Sequence, residues 1–266
     1  MEKINNKEED MMEDNWRVWD KNEDYGKLFK DRAEGKLPEM ESSKAVAKHL
    51  KNIMLKNDVI MDVGCGAGHY LNTLDKTFDT EFSYIGVDAT KKYIEFAIEA
   101  YENQKNPLRA NTDFRVGDIF KLPTKDKEAD IVMCNNVLLH LPSVKKPIEE
   151  LYRSAKKYLV IRTLMGKASF RVKHVEDPEA YDENGEPENF HFFNIYSKSY
   201  IESILKTLPD VKNYTFIDDK DYNADNIGEV NYSDKDKPKN LTTIVDGMQV
   251  NNYIIQPWCF LIIEKE

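Results

Sequence analysis

The chain has 266 residues, 41% of them hydrophobic and 11% aromatic, which is enough to bury the core of one large domain. Acidic residues outnumber basic ones by 48 to 38, a formal net charge of −10. That balance argues against a nucleic-acid phosphate backbone or an anionic membrane as the main partner, since both are bound through clustered Lys and Arg.

Met1 to Asp14 is a charged run with no apolar signal region, expected to be solvated. Trp16-Arg17-Val18-Trp19-Asp20 follows and is too aromatic for a free tail. Helices are predicted over 25–33 and 39–55. In the second, Ala45, Val46, His49, Leu50 and Ile53 recur at three-to-four spacing, and Pro38 fits the break before it. Strands at 59–63, 82–87, 112–117, 130–135 and 158–163 then alternate with helices at 70–78, 91–103 and 147–154. Strands separated by helices imply an α/β fold, a parallel sheet covered on both faces.

From Met165 to about Asn194 the pattern lapses, and Asp177-Pro178, Asn184-Gly185 and Glu186-Pro187 are turn signals. A connection of that length is expected to be a lid or binding loop, an insert at about 165–198. A helix at 200–208 and a strand at 213–217 come next, then an acidic surface excursion at about 218–240. Two strands, 250–255 and 258–263, are broken at Gln256-Pro257. The expected division is an N-terminal cap at 1–40 and a main domain at 41–266. No stretch has the length and apolarity of a membrane span.

Three cysteines, Cys65, Cys134 and Cys259, include no Cys-x-x-Cys pair. That argues against a disulfide framework or a zinc site, so no metal is expected and the default compartment is the cytoplasm.

The densest signal is Val59-Ile60-Met61-Asp62-Val63-Gly64-Cys65-Gly66-Ala67-Gly68. Buried strand, tight glycine turn and helix start are the parts of a nucleotide-binding βα unit. A dinucleotide fingerprint places glycine at the sixth position of Gly-x-Gly-x-x-Gly, and His69 stands there instead. The pattern Asp-x-Gly-x-Gly-x-Gly resembles motif I of the class I S-adenosylmethionine-dependent methyltransferases. Tyr84-Ile85-Gly86-Val87-Asp88, Phe114-Arg115-Val116-Gly117-Asp118-Ile119 and the run Ala129 to Pro142 resemble the following motifs in order.

That resemblance implies a Rossmann-like, seven-stranded, mostly parallel sheet whose last hairpin is reversed, and the terminal pair at 251–263 fits those last strands. It implies S-adenosylmethionine as cofactor, with Asp62, Gly64, Gly66 and Gly68 bordering the methionine part. Asp88, with Ala89 beside it, would take the ribose, and Asp118 and Ile119 the adenine. Asn135 would lie near the sulfonium, and Arg32 would pair with the methionine carboxylate. Trp16, Trp19, Tyr25 and Phe29 are expected to form a cover.

Methyl transfer needs an aligned nucleophile and, for a hydroxyl, a base. Among five histidines, His49 lies on an amphipathic helix and reads as structural, while His69 opens the helix beside the cofactor. His140 follows the fourth strand and His191 sits in the irregular insert, and these two are the candidate bases. The expected acceptor is a small polar molecule bearing a hydroxyl, such as a sugar or a natural-product or surface-polysaccharide precursor. A small amine, or a non-catalytic cofactor-binding role, stands as the alternative. Asn135-Asn136-Val137-Leu138 replaces the Asn-Pro-Pro-Tyr signature of many amino and DNA methylases, which lowers DNA as a substrate.

Overall fold

The computed structural model describes residues 16–102, 108–220, 242–245, 248–251 and 254–266. The charged run 1–14 and most of the acidic excursion 218–240 lie outside the described residues. A short 3-10 turn (Val18–Lys21) leads into helices α1 (Glu23–Ala33) and α2 (Glu41–Lys51). The alternating unit follows: β1 (Val59–Val63), α3 (Tyr70–Thr77), β2 (Phe82–Asp88), α4 (Lys91–Glu102), β3 (Ala110–Val116), β4 (Ala129–Asn135), α5 (Lys145–Ser154) and β5 (Ala155–Gly166). Then come β6 (Lys173–Val175), β7 (Phe190–Phe192), β8 (Tyr196–Ser197), α6 (Lys198–Leu205) and β9 (Val211–Asp218). The chain closes with β10 (Thr242–Val245), β11 (Met248–Asn251), β12 (Ile254–Gln256) and β13 (Trp258–Lys265).

The main sheet runs β3-β2-β1-β4-β5-β13-β9, with β8 added in parallel to the end of β5. Every pairing from β3 to β5 is parallel, and β13 is antiparallel to both β5 and β9. The seven-strand path, parallel except for β13, is the mostly parallel Rossmann-like sheet expected. Its last pair is not. The terminal hairpin predicted at 251–263 does not form. β13 pairs instead with β9, while β12 joins β10 and β11 in a separate three-stranded sheet.

Alternation along the central strands explains why both faces are buried. Met61, Val132, Cys134, Leu159 and Ile161 pack on one side with Leu151 and Ile201. Ile60, Ile131, Met133 and Val160 pack on the other with Leu50, Leu71 and Leu74. Each fully buried aliphatic contributes roughly 1.5–3 kcal/mol. Cys65, Cys134 and Cys259 are buried, and burial raises all three thiols above their ordinary pKa, so they pack rather than react.

The insert after β5 is more ordered than its sequence suggests. β6 and β7 form a hairpin in the register His174↔His191, and β5 itself runs on to Gly166. Strand order reverses between β1 and β4, because the chain first builds outward to β3 and then returns. In open α/β sheets that switch point opens a crevice at the carboxyl ends of the strands. No helix among the described residues is long and apolar enough to cross a membrane.

Candidate active site

A cavity lies at that switch point. Its floor is Asp62, Val63, Gly64, Cys65 and Gly66 from the end of β1, with Asp88, Ala89 and Thr90 after β2. Gly117, Asp118 and Ile119 follow β3, and Asn135, Asn136, Val137 and His140 follow β4. Trp16, Arg17, Trp19, Tyr25 and Phe29 line it from the N-terminal segment.

Gly64, Gly66 and Gly68 all have positive φ, at 81°, 57° and 72°. A Cβ on Gly64 would collide with Val137 of the facing turn, so only glycine keeps β1 and the turn after β4 this close. Gly68 departs from the expectation. It does not line the cavity; a Cβ there would meet Phe114 at 2.9 Å and Tyr101 at 3.0 Å, so it serves the packing of the loop on β3.

Asp62 is 3% exposed and accepts the Tyr84 hydroxyl at 2.7 Å. Burial pushes its carboxyl up to about 7, against the stabilising hydrogen bond from Tyr84. Asp88 ends β2 and accepts two backbone N–H groups, Gly66 at 2.8 Å and Thr90 at 2.9 Å, one on each oxygen. Burial raises it to about 6, and those two donors pull the other way. Asp118 accepts the Phe120 N–H at 2.8 Å on one oxygen and Arg17 at 2.5 Å on the other. Arg17 joins the site with no signal in the sequence spacing; its contact with Asp118 spans 101 residues.

Asn135 is the last residue of β4 and 7% exposed. Four buried polar atoms of cavity-lining side chains find no hydrogen-bonding partner among the described residues: Trp16 Nε1, His69 Nδ1, and both Oδ1 and Nδ2 of Asn135. An unmet buried polar atom costs about 1–3 kcal/mol, so four around one cavity mark a place shaped for a polar ligand. His69 lies flat on Phe29 with ring centroids 4.4 Å apart, and burial, then the nearby charge of Arg32, lower it to about 3. Arg32 itself does not line the cavity. Its place near the end of α1 puts it beside His69 instead, and its carbonyl accepts from Asn72.

Next to Asn135 stands a network that was not read from the sequence. Asn136 sits in the left-handed region at φ 61° and holds Arg162 at 2.5 Å and the Tyr70 hydroxyl at 3.2 Å. Arg162 pairs with Asp219 at 2.7 Å, both side chains are fully buried, and its guanidinium lies 4.1 Å over Trp258. Tyr70 continues to Ser42 at 2.6 Å. The signal available was Arg162 itself, a lone charge inside the apolar run Leu159 to Met165, which must be paired if buried.

The two candidate bases separate. His140 lines the cavity, and its Nδ1 lies 2.9 Å from the Phe192 carbonyl. A carbonyl only accepts, so Nδ1 carries the proton and Nε2 is left as an acceptor. Burial lowers His140 to about 4. His191 is not in the cavity wall; its ring lies 5.7 Å from that of His140, behind it on β7. His49 packs 4.5 Å from Phe260, in keeping with a structural role.

A methyltransferase-domain family model matches residues 55–207, more than half of the chain. An uncharacterized methyltransferase of Schizosaccharomyces pombe is 38% identical over 104 residues, 38% of this chain and 37% of its own length. An arsenite methyltransferase of Halobacterium salinarum is 29% identical over 100 residues, 38% of this chain and 25% of its own. The chain thus covers well under half the length of the curated relatives it matches. Among solved structures, a SAM-dependent methyltransferase of Methanosarcina mazei superposes with a TM-score of 0.53 at 17% identity, over 82% of this chain and 96% of that one. The YcgJ protein of Bacillus subtilis superposes with a TM-score of 0.52 at 18% identity, over 85% and 98%. These two likenesses show a shared fold.

Proposed function

We infer that this chain, which belongs to the class I S-adenosylmethionine-dependent methyltransferase superfamily, transfers a methyl group to a small polar acceptor, with a hydroxyl oxygen as the nucleophile. When bound, S-adenosylmethionine supplies an activated methyl group on a sulfonium. The observation that carries the reading is the set of unmet polar atoms on Trp16, His69 and Asn135 around the switch-point cavity. A ligand with an amino acid at one end and a nucleoside at the other is rich in groups that can meet them.

Asp62, Gly64, Gly66 and Asn135 would hold the methionine end. Asp88, with Ala89, would accept the ribose hydroxyls, using the acceptor capacity that its two backbone donors leave free. Asp118 and Ile119 would hold the adenine. Arg17 shares the Asp118 carboxylate and so closes the N-terminal segment over that end of the cavity.

His140 is the residue for the acceptor. It is neutral at physiological pH, and its Nε2 can accept a hydrogen bond from an acceptor hydroxyl, which supports the oxygen reading. A base of this weakness orients the oxygen and takes its proton only as the new bond forms. His191 packs edge-on against His140, with ring centroids 5.7 Å apart, and the Phe192 carbonyl beside it fixes the His140 ring. Trp19, 5.0 Å from His140, supplies an apolar wall that excludes water. The test is a methyl-transfer screen over sugars, phenols, hydroxy acids and amines, read as a mass gain of about 14 Da. Products methylated only at nitrogen would refute the oxygen assignment, and they would leave the cofactor reading intact.

A further inference from the structure

The β6–β7 hairpin carries a second constellation, outside the cavity wall. His174 and His191 are directly opposed in its register, and Glu176 lies two residues past His174, where its backbone N–H continues the ladder to Asn189 at 3.1 Å. Opposed residues share a face of a ribbon, and so do residues two apart. All three side chains therefore project from one face. One ligand atom from each lies within 4.8 Å of the other two. His191 Nδ1 contacts Glu176 Oε1 directly, His174 Nδ1 is 3.9 Å from the same oxygen, and the imidazoles stack at 4.6 Å.

Two imidazoles and a carboxylate form a donor set of borderline softness, suited to zinc and its first-row neighbours at bond lengths of about 2.0–2.2 Å. We propose that His174, Glu176 and His191 bind one divalent cation of the zinc class on the face of this hairpin. Small rotations about the side-chain torsions bring the three atoms to bonding distance, and the cation replaces the His191–Glu176 contact. His174 and Glu176 are open to solvent, so the ion can enter and a water can complete its shell. The sequence pattern hides the site: its ligands come from both arms of the hairpin, 15 residues apart between Glu176 and His191, and include no cysteine.

The site also has a place in the fold. The carbonyl of Phe192, one residue after His191, holds His140 at 2.9 Å. Trp19 packs 5.9 Å from His191 and 5.0 Å from His140. A cation here stiffens the hairpin against the residue proposed to orient the acceptor; that consequence, unlike the site itself, rests on the methyltransferase reading.

The experiment uses untagged full-length protein stripped with chelator, then titrated with ZnCl2 by calorimetry and with CoCl2 by visible absorption. The expected result is one equivalent bound, with cobalt ligand-field bands. His174→Ala and Glu176→Gln, the latter nearly isosteric, should each weaken zinc at least tenfold. Thermal melts with and without zinc should show a metal-dependent rise in the parent protein and none in His174→Ala. The absence of a saturable equivalent, or zinc affinity unchanged in both variants, overturns the site. S-adenosylmethionine titrated in parallel separates the two claims: zinc binding without cofactor binding keeps the metal site and defeats the methyltransferase reading.

Discussion

Replacing Asp88 tests the ribose assignment with a magnitude that the geometry sets. A carboxylate offers about four acceptor positions, two per oxygen. In Asp88 one position on each oxygen is taken by a backbone N–H, from Gly66 and from Thr90. One position per oxygen is left, matching two ribose hydroxyls. Hydrogen bonds to a charged group are worth about 1.5–3 kcal/mol each, so Asp88→Ala should lose about 3–6 kcal/mol of cofactor binding. At 1.4 kcal/mol per decade that is roughly a 10²–10⁴-fold rise in Kd. The pH dependence has a definite sign. The Asp88 carboxyl titrates at about 6, and only its ionised form accepts from both hydroxyls. Affinity should therefore hold above that value and fall by up to about tenfold per unit below it. Calorimetric titration with S-adenosylhomocysteine from pH 8 to 5 measures both effects. An affinity within threefold of the parent, with the fold intact by circular dichroism, would refute the ribose role.

Three further outcomes are expected. Asp62 is raised to about 7 in the folded protein against an ordinary 3.8, so its contribution to stability is fully present below the ordinary value and lost as pH rises through 7. Asp62→Asn should hence gain stability at pH 8, by at most about 4 kcal/mol, and none at pH 4; equal melting shifts at both would contradict this. Asp219→Asn leaves the buried Arg162 without its counter-charge and should cost about 3–5 kcal/mol in urea unfolding; a loss under 1 kcal/mol would show that the pair is solvated. His140→Ala should lower kcat/KM roughly 10²-fold with cofactor affinity unchanged. Because burial holds His140 at about 4, the parent profile should show no ionisation of this group between pH 6 and 9.

What could be read in advance follows from locality. Asp62, Asp88 and Asn135 stand at or next to the end of an apolar run, and a run that locates a strand also locates its carboxyl end. Gly64 and Gly66 follow β1 directly, so their place in the cavity was legible as well. The terminal hairpin does not form because the partner of β13 is chosen by the sheet edge: β9 and β12 both carry β-type residues, and only β9 reaches the main sheet. β6 and β7 are three residues each, too short to leave a period in the sequence. Arg17 on Asp118 and Arg162 on Asp219 are pairings across the fold, invisible to spacing. Arg32 belongs to the N-terminal segment that covers the cavity, and its position on α1 sets it beside His69.

The central claim is that the cavity between β1 and β4 holds S-adenosylmethionine. Its most direct measurement is calorimetric titration of the purified chain with S-adenosylmethionine, S-adenosylhomocysteine and NAD+ under one buffer. The expected result is one equivalent of either sulfur-containing ligand at micromolar concentration and no heat from NAD+. Saturable NAD+ binding without S-adenosylmethionine binding would contradict the claim.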